Sequence, residues 1–398
     1  MTAMETYDVV VVGGGPSGAT AAHDLARAGS HVLLLDRAGR IKPCGGAIPP
    51  RAMRDFEIPE HLLVARATSA RMVSPSNRIV NMPIEGGYVG LVDREQFDEW
   101  LRARAASAGA ERRAGSFLRI ERDSDGCAVV CFHDKGDSKD KVQRVRARSI
   151  IGADGARSQV ARQTVKGADR IPCVFAYHEI IRSPPHGVGG FDAHRCDIYY
   201  QGKLSPDFYA WIFPHGDTAS IGVGSANKGF SLRGAVTSLR EASGLSDCET
   251  VRTEGAPIPL KPLPRWDNGR DVVLAGDASG VVAPASGEGI YYAMVGGRVA
   301  GDAVSEFLST GKVKSLARAR KTFMRDHGRV FWILGIMQHF WYRSDKRREG
   351  FVKMCNDPDV QRLTWQAYMN KELVKANPGA HMRIFLKDMG HLLGMSST

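Results

Sequence analysis

The chain has 398 residues, 43% of them hydrophobic, and a formal net charge of +11 at pH 7, which is enough to bury the cores of two or three domains. That composition excludes a disordered chain, and no apolar run approaches the ~20 residues that span a bilayer. The seven cysteines (Cys44, Cys127, Cys131, Cys173, Cys196, Cys248, Cys355) are scattered, odd in number and without a CxxC pair, so neither a disulfide framework nor a metal site is indicated.

Residues 8–36 read DVVVVGGGPSGATAAHDLARAGSHVLLLD. They predict a buried strand, a glycine turn at Gly13, Gly15 and Gly18, an alanine-rich helix stopping at Gly29, and a second apolar strand ending on Asp36. This is the spacing of a βαβ unit for a dinucleotide. The first glycine allows the tight turn, the second lets a pyrophosphate approach the backbone, and the third brings helix and strand together. Pro16 and Ser17 open the helix, whose unpaired N–H groups and dipole favour phosphate. Asp36, followed by Arg37, ends the second strand where a carboxylate meets an adenosine ribose hydroxyl. Because this strand starts within the first ten residues, no signal peptide is expected and the protein should stay on the cytoplasmic side.

Residues 42–49, KPCGGAIP, set Cys44 between Pro43 and the flexible pair Gly45 and Gly46. Residues 70–91 then supply strands. In DREQFDEWLRARAASAG (93–109) Asp93 and Gln96 make a capping box and Gly109 closes the helix. Period-two alternation over 119–146 predicts a small meander with turns at DSDG and KGDSKD. Residues 148–162, RSIIGADGARSQVAR, deliver Asp154 and Gly155 at the end of a buried strand.

Residues 174–258 supply strands for a second sheet. Among them is YAWIFP (209–214), whose Tyr209, Trp211 and Phe213 share one strand face while Ala210 and Ile212 share the other. On spacing alone such a stripe fills a core as readily as it lines a ligand site. VVLAGDASG (272–280) ends a strand on Gly276 and Asp277, and ligands of open α/β sheets collect at such ends. PASGEGIYYAMVGGRVAGDA (284–303) is a small-residue helix whose start, with Gly287, Gly289 and Ile290, offers N–H groups to an anion.

From residue 311 to 398 there are 17 Lys and Arg against 7 Asp and Glu, so about +10 of the charge lies in this basic helical region. Within it, VFWILGIMQHFWY (330–342) is flanked by Arg325, Arg329, Arg343, Lys346, Arg347 and Arg348. It is either a core helix with a basic flank or a segment resting in the interface of an anionic bilayer. No motif for nucleic acid is present.

The order GxGxxG, DG turn, GD turn and late small-residue helix resembles the FAD-dependent hydroxylase and reductase superfamily over about the first 310 residues. That resemblance implies an α/β fold: a Rossmann-like, aromatic-hydroxylase type FAD domain (1–60 with 93–165 and 270–310) interleaved with an antiparallel-sheet substrate domain (61–92 with 166–269) and followed by helices (311–398). It assigns Asp154, Gly155, Gly276 and Asp277 to the flavin's pyrophosphate and ribityl chain and puts Arg94 near its phosphates, although Arg94 also reads as a solvated helix-start arginine. The second sheet would roof the flavin.

KPCGGAIP, YAWIFP and SGEGIYY (286–292) resemble the geranylgeranyl reductases, most closely those acting on chlorophyll or bacteriochlorophyll. The substrate this implies is a twenty-carbon prenyl chain, three of whose four double bonds are saturated. Cys44 and Gly45 would line both flavin and reacting alkene, with Tyr209 and Trp211 beside them and Phe213, Pro214 and Tyr291 holding the chain. Cys44 is otherwise a small residue that lets the loop pass the flavin.

No second GxGxxG marks a nicotinamide site, so NADPH or reduced ferredoxin is the expected donor. Expected partners are the prenylated pigment, an anionic inner or photosynthetic membrane and pigment-synthesis enzymes. Three other readings stay open: a flavin monooxygenase of the same fold, a reductase of another prenyl lipid or quinone, and a non-catalytic prenyl carrier.

Overall fold

The computed structural model describes residues 4–37, 39, 41–136, 141–185 and 187–371. Residues 372–398 of the predicted helical region, and 137–140 of the predicted KGDSKD turn, lie outside the described residues. In chain order, β1 (Thr6–Val12), α1 (Pro16–Arg27) and β2 (Val32–Asp36) are followed by β3 (Ala47–Ile48), α2 (Pro50–Asp55), β4 (Leu63–Ala67), β5 (Ser69–Val73), β6 (Ile79–Pro83) and β7 (Val89–Val92). Then come α3 (Arg94–Ser107), β8 (Glu111–Arg122), β9 (Ala128–Asp134), β10 (Gln143–Gly152) and α4 (Gln159–Thr164). β11 (Cys173–Arg182), β12 (Arg195–Tyr199), β13 (Ala210–His215), β14 (Thr218–Ser225), α5 (Leu232–Ala242), β15 (Thr250–Pro259) and β16 (Val272–Leu274) lead to α6 (Ile290–Thr310), α7 (Arg318–Trp341), α8 (Asp345–Met354) and α9 (Pro358–Asn370).

Packing divides the chain into two units. The first takes the segment up to Cys44, Asp93–Val174 and Ala256–Trp332; the second takes Gly45–Val92, Phe175–Gly255 and the chain from Ile333 onward. The two units interleave in sequence, and the first crossing falls after Cys44 and not after residue 60. The reason is that β3 pairs with β7 and draws the intervening residues into the second unit. The helical region predicted to start at 311 is shared out, dividing after Trp332.

In the first unit β1 pairs in parallel with both β2 and β10, and β10 with β16. A strand flanked on both sides and covered on both faces needs an unbroken apolar run, which Val9–Val12 supply, each at most 2% exposed. The predicted meander belongs to this same sheet. β8 runs parallel to β2 through Ala114 and then antiparallel to β9, while β10 first pairs antiparallel with β9 and then parallel with β1. At 12 and 10 residues these strands are about twice the length of the five-residue β2, and the surplus carries the meander. Asp93 caps α3, accepting N–H from Glu95 at 2.8 Å and Gln96 at 3.4 Å. The small residues of α6 let two helix backbones touch: a Cβ on Gly297 would lie 2.1 Å from the Ser17 carbonyl oxygen of α1.

The second unit holds a seven-stranded sheet in the order β15-β11-β14-β13-β12-β5-β6 and a three-stranded sheet β3-β7-β4. Ala210, Ile212, Ile221 and Val223 cover one face of the large sheet with Val236 and Leu239 of α5, so alternation turns Trp211 and Phe213 to the other face. Phe213 joins Ala67, Val89, Leu91 and Cys196 there, with Trp365, Tyr368 and Met369 of α9. α8 is anchored by Arg348, which is 2% exposed. Its guanidinium donates to the carbonyls of Pro206 and Tyr342 and pairs with Asp345 at 2.8 Å.

Replacing Arg348 with Ala strands those two carbonyls, so stability should fall by about 2–4 kcal/mol. Thermal unfolding of Arg348→Ala should show a midpoint several degrees lower, with Arg348→Lys recovering only part because an ammonium cannot serve both carbonyls in the fixed fork of a guanidinium.

Candidate functional site

Four strand ends of the first unit deliver the predicted dinucleotide residues to one place. The chain leaves β1 at Gly13 (φ +106), where a Cβ would sit 2.3 Å from the Ala153 carbonyl oxygen and 2.9 Å from Asp154 Cα, so the loop after β1 lies against the loop after β10. A Cβ on Gly14 would lie 2.8 Å from that of Asp36 at the end of β2. Gly276 (φ +63), after β16, comes so near the first turn of α1 that a Cβ would meet the Ser17 hydroxyl oxygen at 2.5 Å. Within the glycine loop itself, a Cβ on Gly18 would fall 1.8 Å from the Gly13 carbonyl oxygen.

The charges of this place suit a dinucleotide. α1 starts from Gly15 with Pro16 in its first turn and no side-chain cap, and a Cβ on Gly15 would meet nothing within 4 Å. No side chain caps the first N–H groups at the positive end of the helix dipole, and there is open space beside Gly15, an environment that suits a pyrophosphate. Gly155 (φ +86) also faces open room. The residues present fit FAD: Gly13, Gly15, Pro16, Ser17 and Gly18 for its phosphates, and Asp36 for its ribose, with Arg37 exposed beside it.

Several polar groups are already engaged. The Asp154 carboxylate accepts from the Ser158 hydroxyl and from the N–H groups of Gln159 (2.6 Å) and Val160 (3.2 Å), so it serves the start of α4 while burial pushes its carboxyl up. Asp277 pairs with Lys42, a lysine that spacing alone does not connect with it. Glu288 accepts the Tyr291 N–H at 3.0 Å. The start of α6, between Gly287 (φ +66) and Ile290 with Gly289 as its N-cap, therefore gives one of its expected free N–H groups to its own carboxylate.

Arg94 is 5% exposed and makes a two-pronged contact with Asp98 at 2.9 and 2.7 Å, and its guanidinium also hydrogen-bonds Cys44. It is not a solvated helix-start arginine. The arginine that reaches the glycine loop is Arg102, donating to the Gly14 carbonyl at 3.3 Å and pairing with Asp36 at 3.4 Å. No motif marks Arg102 in sequence, because its role comes from α3 packing beside α1. Tyr291, expected at the prenyl chain, is 2% exposed and packs inside the first unit against Tyr292 and His327.

In the second unit, Tyr209, Trp211 and Phe213 form a ladder of rings with centroids 6.0 and 6.2 Å apart. The two glycines after Cys44 abut this strand. A Cβ on Gly45 would lie 3.0 Å from the Phe213 ring, and one on Gly46 2.8 Å from His215 Nε2. The glycine pair 45–46 and the YAWIFP strand, about 165 residues apart in sequence, are thus neighbours within the second unit. Pro214 alternates with Phe213 and faces the side of Ala210 and Ile212, so those two predicted chain contacts point to opposite faces.

Comparison with known proteins agrees with this geometry. Residues 6–171 match the model of an FAD binding domain, and the protein is an FAD-binding oxidoreductase. Over 389 residues the chain is 58% identical to the geranylgeranyl diphosphate reductase of Rhodobacter capsulatus, covering 98% of both chains. It is 35% identical over 404 residues to the chloroplastic geranylgeranyl diphosphate reductase of Oryza sativa subsp. japonica, covering 97% of this chain and 86% of that one. The fold matches a solved structure from Thermoplasma acidophilum described as geranylgeranyl bacteriochlorophyll reductase-like, with TM-score 0.80 and 23% identity over 95% of this chain and all of that one. The chain belongs to the geranylgeranyl diphosphate reductase family.

The contact between Gly18 and the Gly13 carbonyl is backbone to backbone, so no side chain can yield. Gly18→Ala should leave a purified protein with at least tenfold less bound flavin than wild type, read from flavin absorbance per chain.

Proposed function

We propose that this chain saturates three isolated double bonds of a geranylgeranyl chain to give phytyl, on bacteriochlorophyll or chlorophyll or as the free diphosphate. The observation that carries the reading is the 58% identity, across nearly the whole length, to a geranylgeranyl diphosphate reductase. FAD, once reduced, supplies a hydride at its N5 position. NADPH or reduced ferredoxin supplies the electrons, and offering each to the flavin-loaded protein without oxygen separates the two.

The substrate dictates what the side chains must do. A trisubstituted alkene has no carbonyl to accept negative charge, so hydride alone would build an unstabilised carbanion. A proton added at the less substituted carbon instead develops positive charge at the tertiary one, which then accepts hydride. The protein must position an acid, keep water away and tolerate a cation. The faces of Trp211 and Tyr209 attract positive charge by about 0.5–2 kcal/mol, and with Phe213 they offer apolar surface to the chain. Cys44 orients the alkene or relays the proton. Its neighbour Arg94, held by Asp98, fixes the thiol.

The test is incubation of flavin-loaded protein, reductant and geranylgeranyl pigment under nitrogen, followed by mass spectrometry. Successive gains of two hydrogens, up to three times, are expected. A strict requirement for oxygen would indicate a monooxygenase, reduction of a prenyl lipid or quinone alone would move the headgroup, and a flavin that cannot be reduced would indicate a carrier. Cys44→Ala should lower turnover at least tenfold with full flavin content, and unchanged turnover would remove Cys44 from the mechanism.

We also infer that the protein rests on an anionic membrane surface, where it meets its pigment and the enzymes that make it. No helix among the described residues is long and apolar enough to cross a membrane. Support comes from α7: of the apolar run at 330–342, Phe331, Trp341 and Tyr342 are buried, whereas Trp332 (68%) and Ile336 (50%) are exposed. These two lie one turn apart in a stripe that continues through exposed Lys321 and Arg329, and exposed Arg343 follows in the turn after the helix. Such a face suits headgroups above and acyl chains below. Vesicles of phosphatidylglycerol should sediment the wild type, with binding falling at least tenfold in Trp332→Glu/Ile336→Glu and weakening in high salt.

A further inference from the structure

Trp211 on β13, Gly222 on β14 and His178 on β11 stand opposite one another in the register of the large sheet. Because Gly222 carries no side chain, the Trp211 ring lies over it beside His178: a Cβ there would lie 2.2 Å from the Trp211 ring and 2.6 Å from His178 Cβ. Ser220, two residues along β14, rises on the same face. Its hydroxyl oxygen receives the Trp211 indole N–H at 3.1 Å and lies 2.9 Å from His178 Nδ1. On the far side, His178 Nε2 lies 2.9 Å from the carboxylate of Glu254 on β15, which also pairs with Arg252 at 2.8 Å. His178, Ser220 and Trp211 are 2%, 0% and 6% exposed.

The donors order themselves. An indole N–H can only donate, so Ser220 accepts it and turns its own proton to His178 Nδ1. That leaves the imidazole proton on Nε2, donating to Glu254. Burial works against the charge on Glu254, but the His178 hydrogen bond and the nearby Arg252 guanidinium outweigh it and hold the carboxyl below its ordinary range. A negative charge thus ends a chain of three aligned hydrogen bonds that starts at the indole, and each bond polarises the next. No motif announces this row in sequence, since its members are spread over 77 positions and four strands.

We propose that Glu254, His178 and Ser220 are positioning residues for Trp211: they fix the plane of its indole over Gly222 and push electron density into the ring that receives the positive charge developing on the alkene. The inference rests on the proposed reduction and deepens it by naming what makes this one aromatic a better host for a cation than its neighbours.

The experiment uses the flavin-loaded full chain with geranylgeranyl pigment under nitrogen and measures kcat and KM, with flavin content and unfolding temperature as controls. Ser220→Ala and Trp211→Phe should each lower kcat about tenfold with KM within about twofold. Ser220→Thr, which keeps the hydroxyl, should recover most of the rate, and Glu254→Gln, which keeps the shape without the charge, should lose part of it. The double variant Ser220→Ala/Trp211→Phe should be no slower than Trp211→Phe alone, because both remove the same bond. Wild-type turnover with an unchanged kcat in Ser220→Ala, or losses that multiply in the double variant, would overturn the array alone. A wild-type protein that reduces no double bond overturns the reduction itself and the array's role with it.

Discussion

The contact on which the first unit depends is the approach of the start of α1 to the strand ends around it. Gly18 admits the Gly13 carbonyl, Gly276 admits Ser17, and Gly297 of α6 admits the Ser17 carbonyl. At Gly18 and Gly297 one methyl group would force backbones apart, and at Gly276 it would collide with the Ser17 side chain. Together these contacts fix a helix start that no side chain caps, with open space beside Gly15, so the positive end of the dipole suits an anionic ligand. The small residues of α6 therefore matter to the cofactor mainly by packing. They let α6 press on α1 and fix where its N–H groups sit.

The second unit uses one strand for two purposes. The period of two sends Ala210 and Ile212 into the core with α5 and Tyr209, Trp211 and Phe213 to the opposite side. Neighbouring strands then decide what each ring can do. Gly222 gives Trp211 room to lie flat, and Ser220 catches its N–H. Phe213 is instead taken into an apolar cluster with Leu91 and Trp365 and lies against Gly45. Three aromatics that look equivalent in sequence thus have different partners, and Trp211 has a hydrogen-bonded chain behind it.

The excess of positive charge beyond residue 311 resolves into separate uses. Arg348 is buried and serves carbonyls, and Arg347 stacks on Phe340 at 4.2 Å. The cations that remain on the surface include those in line with Trp332 and Ile336. The alternatives of core helix and interfacial segment for residues 330–342 do not exclude each other, because a helix buried on one side keeps another face in solvent.

The sequence by itself determined the dinucleotide unit, the glycines that must be glycine, the acid at the end of β2 and the aromatic face of β13, since each follows from local spacing and backbone sterics. It also contained the family pattern in KPCGG and YAWIFP, whose contact through Gly45 and Phe213 the tertiary structure then supplied. What only the tertiary structure decided was partnership. That Arg102 and not Arg94 reaches the glycine loop, that Lys42 takes Asp277, that Tyr291 belongs to a core, and that His178, Ser220 and Glu254 line up behind Trp211 all depend on which strands and helices become neighbours. Contacts between residues tens to hundreds of positions apart leave no periodic trace in one chain, whereas a turn, a cap or a strand face is written in residues close enough to be read together.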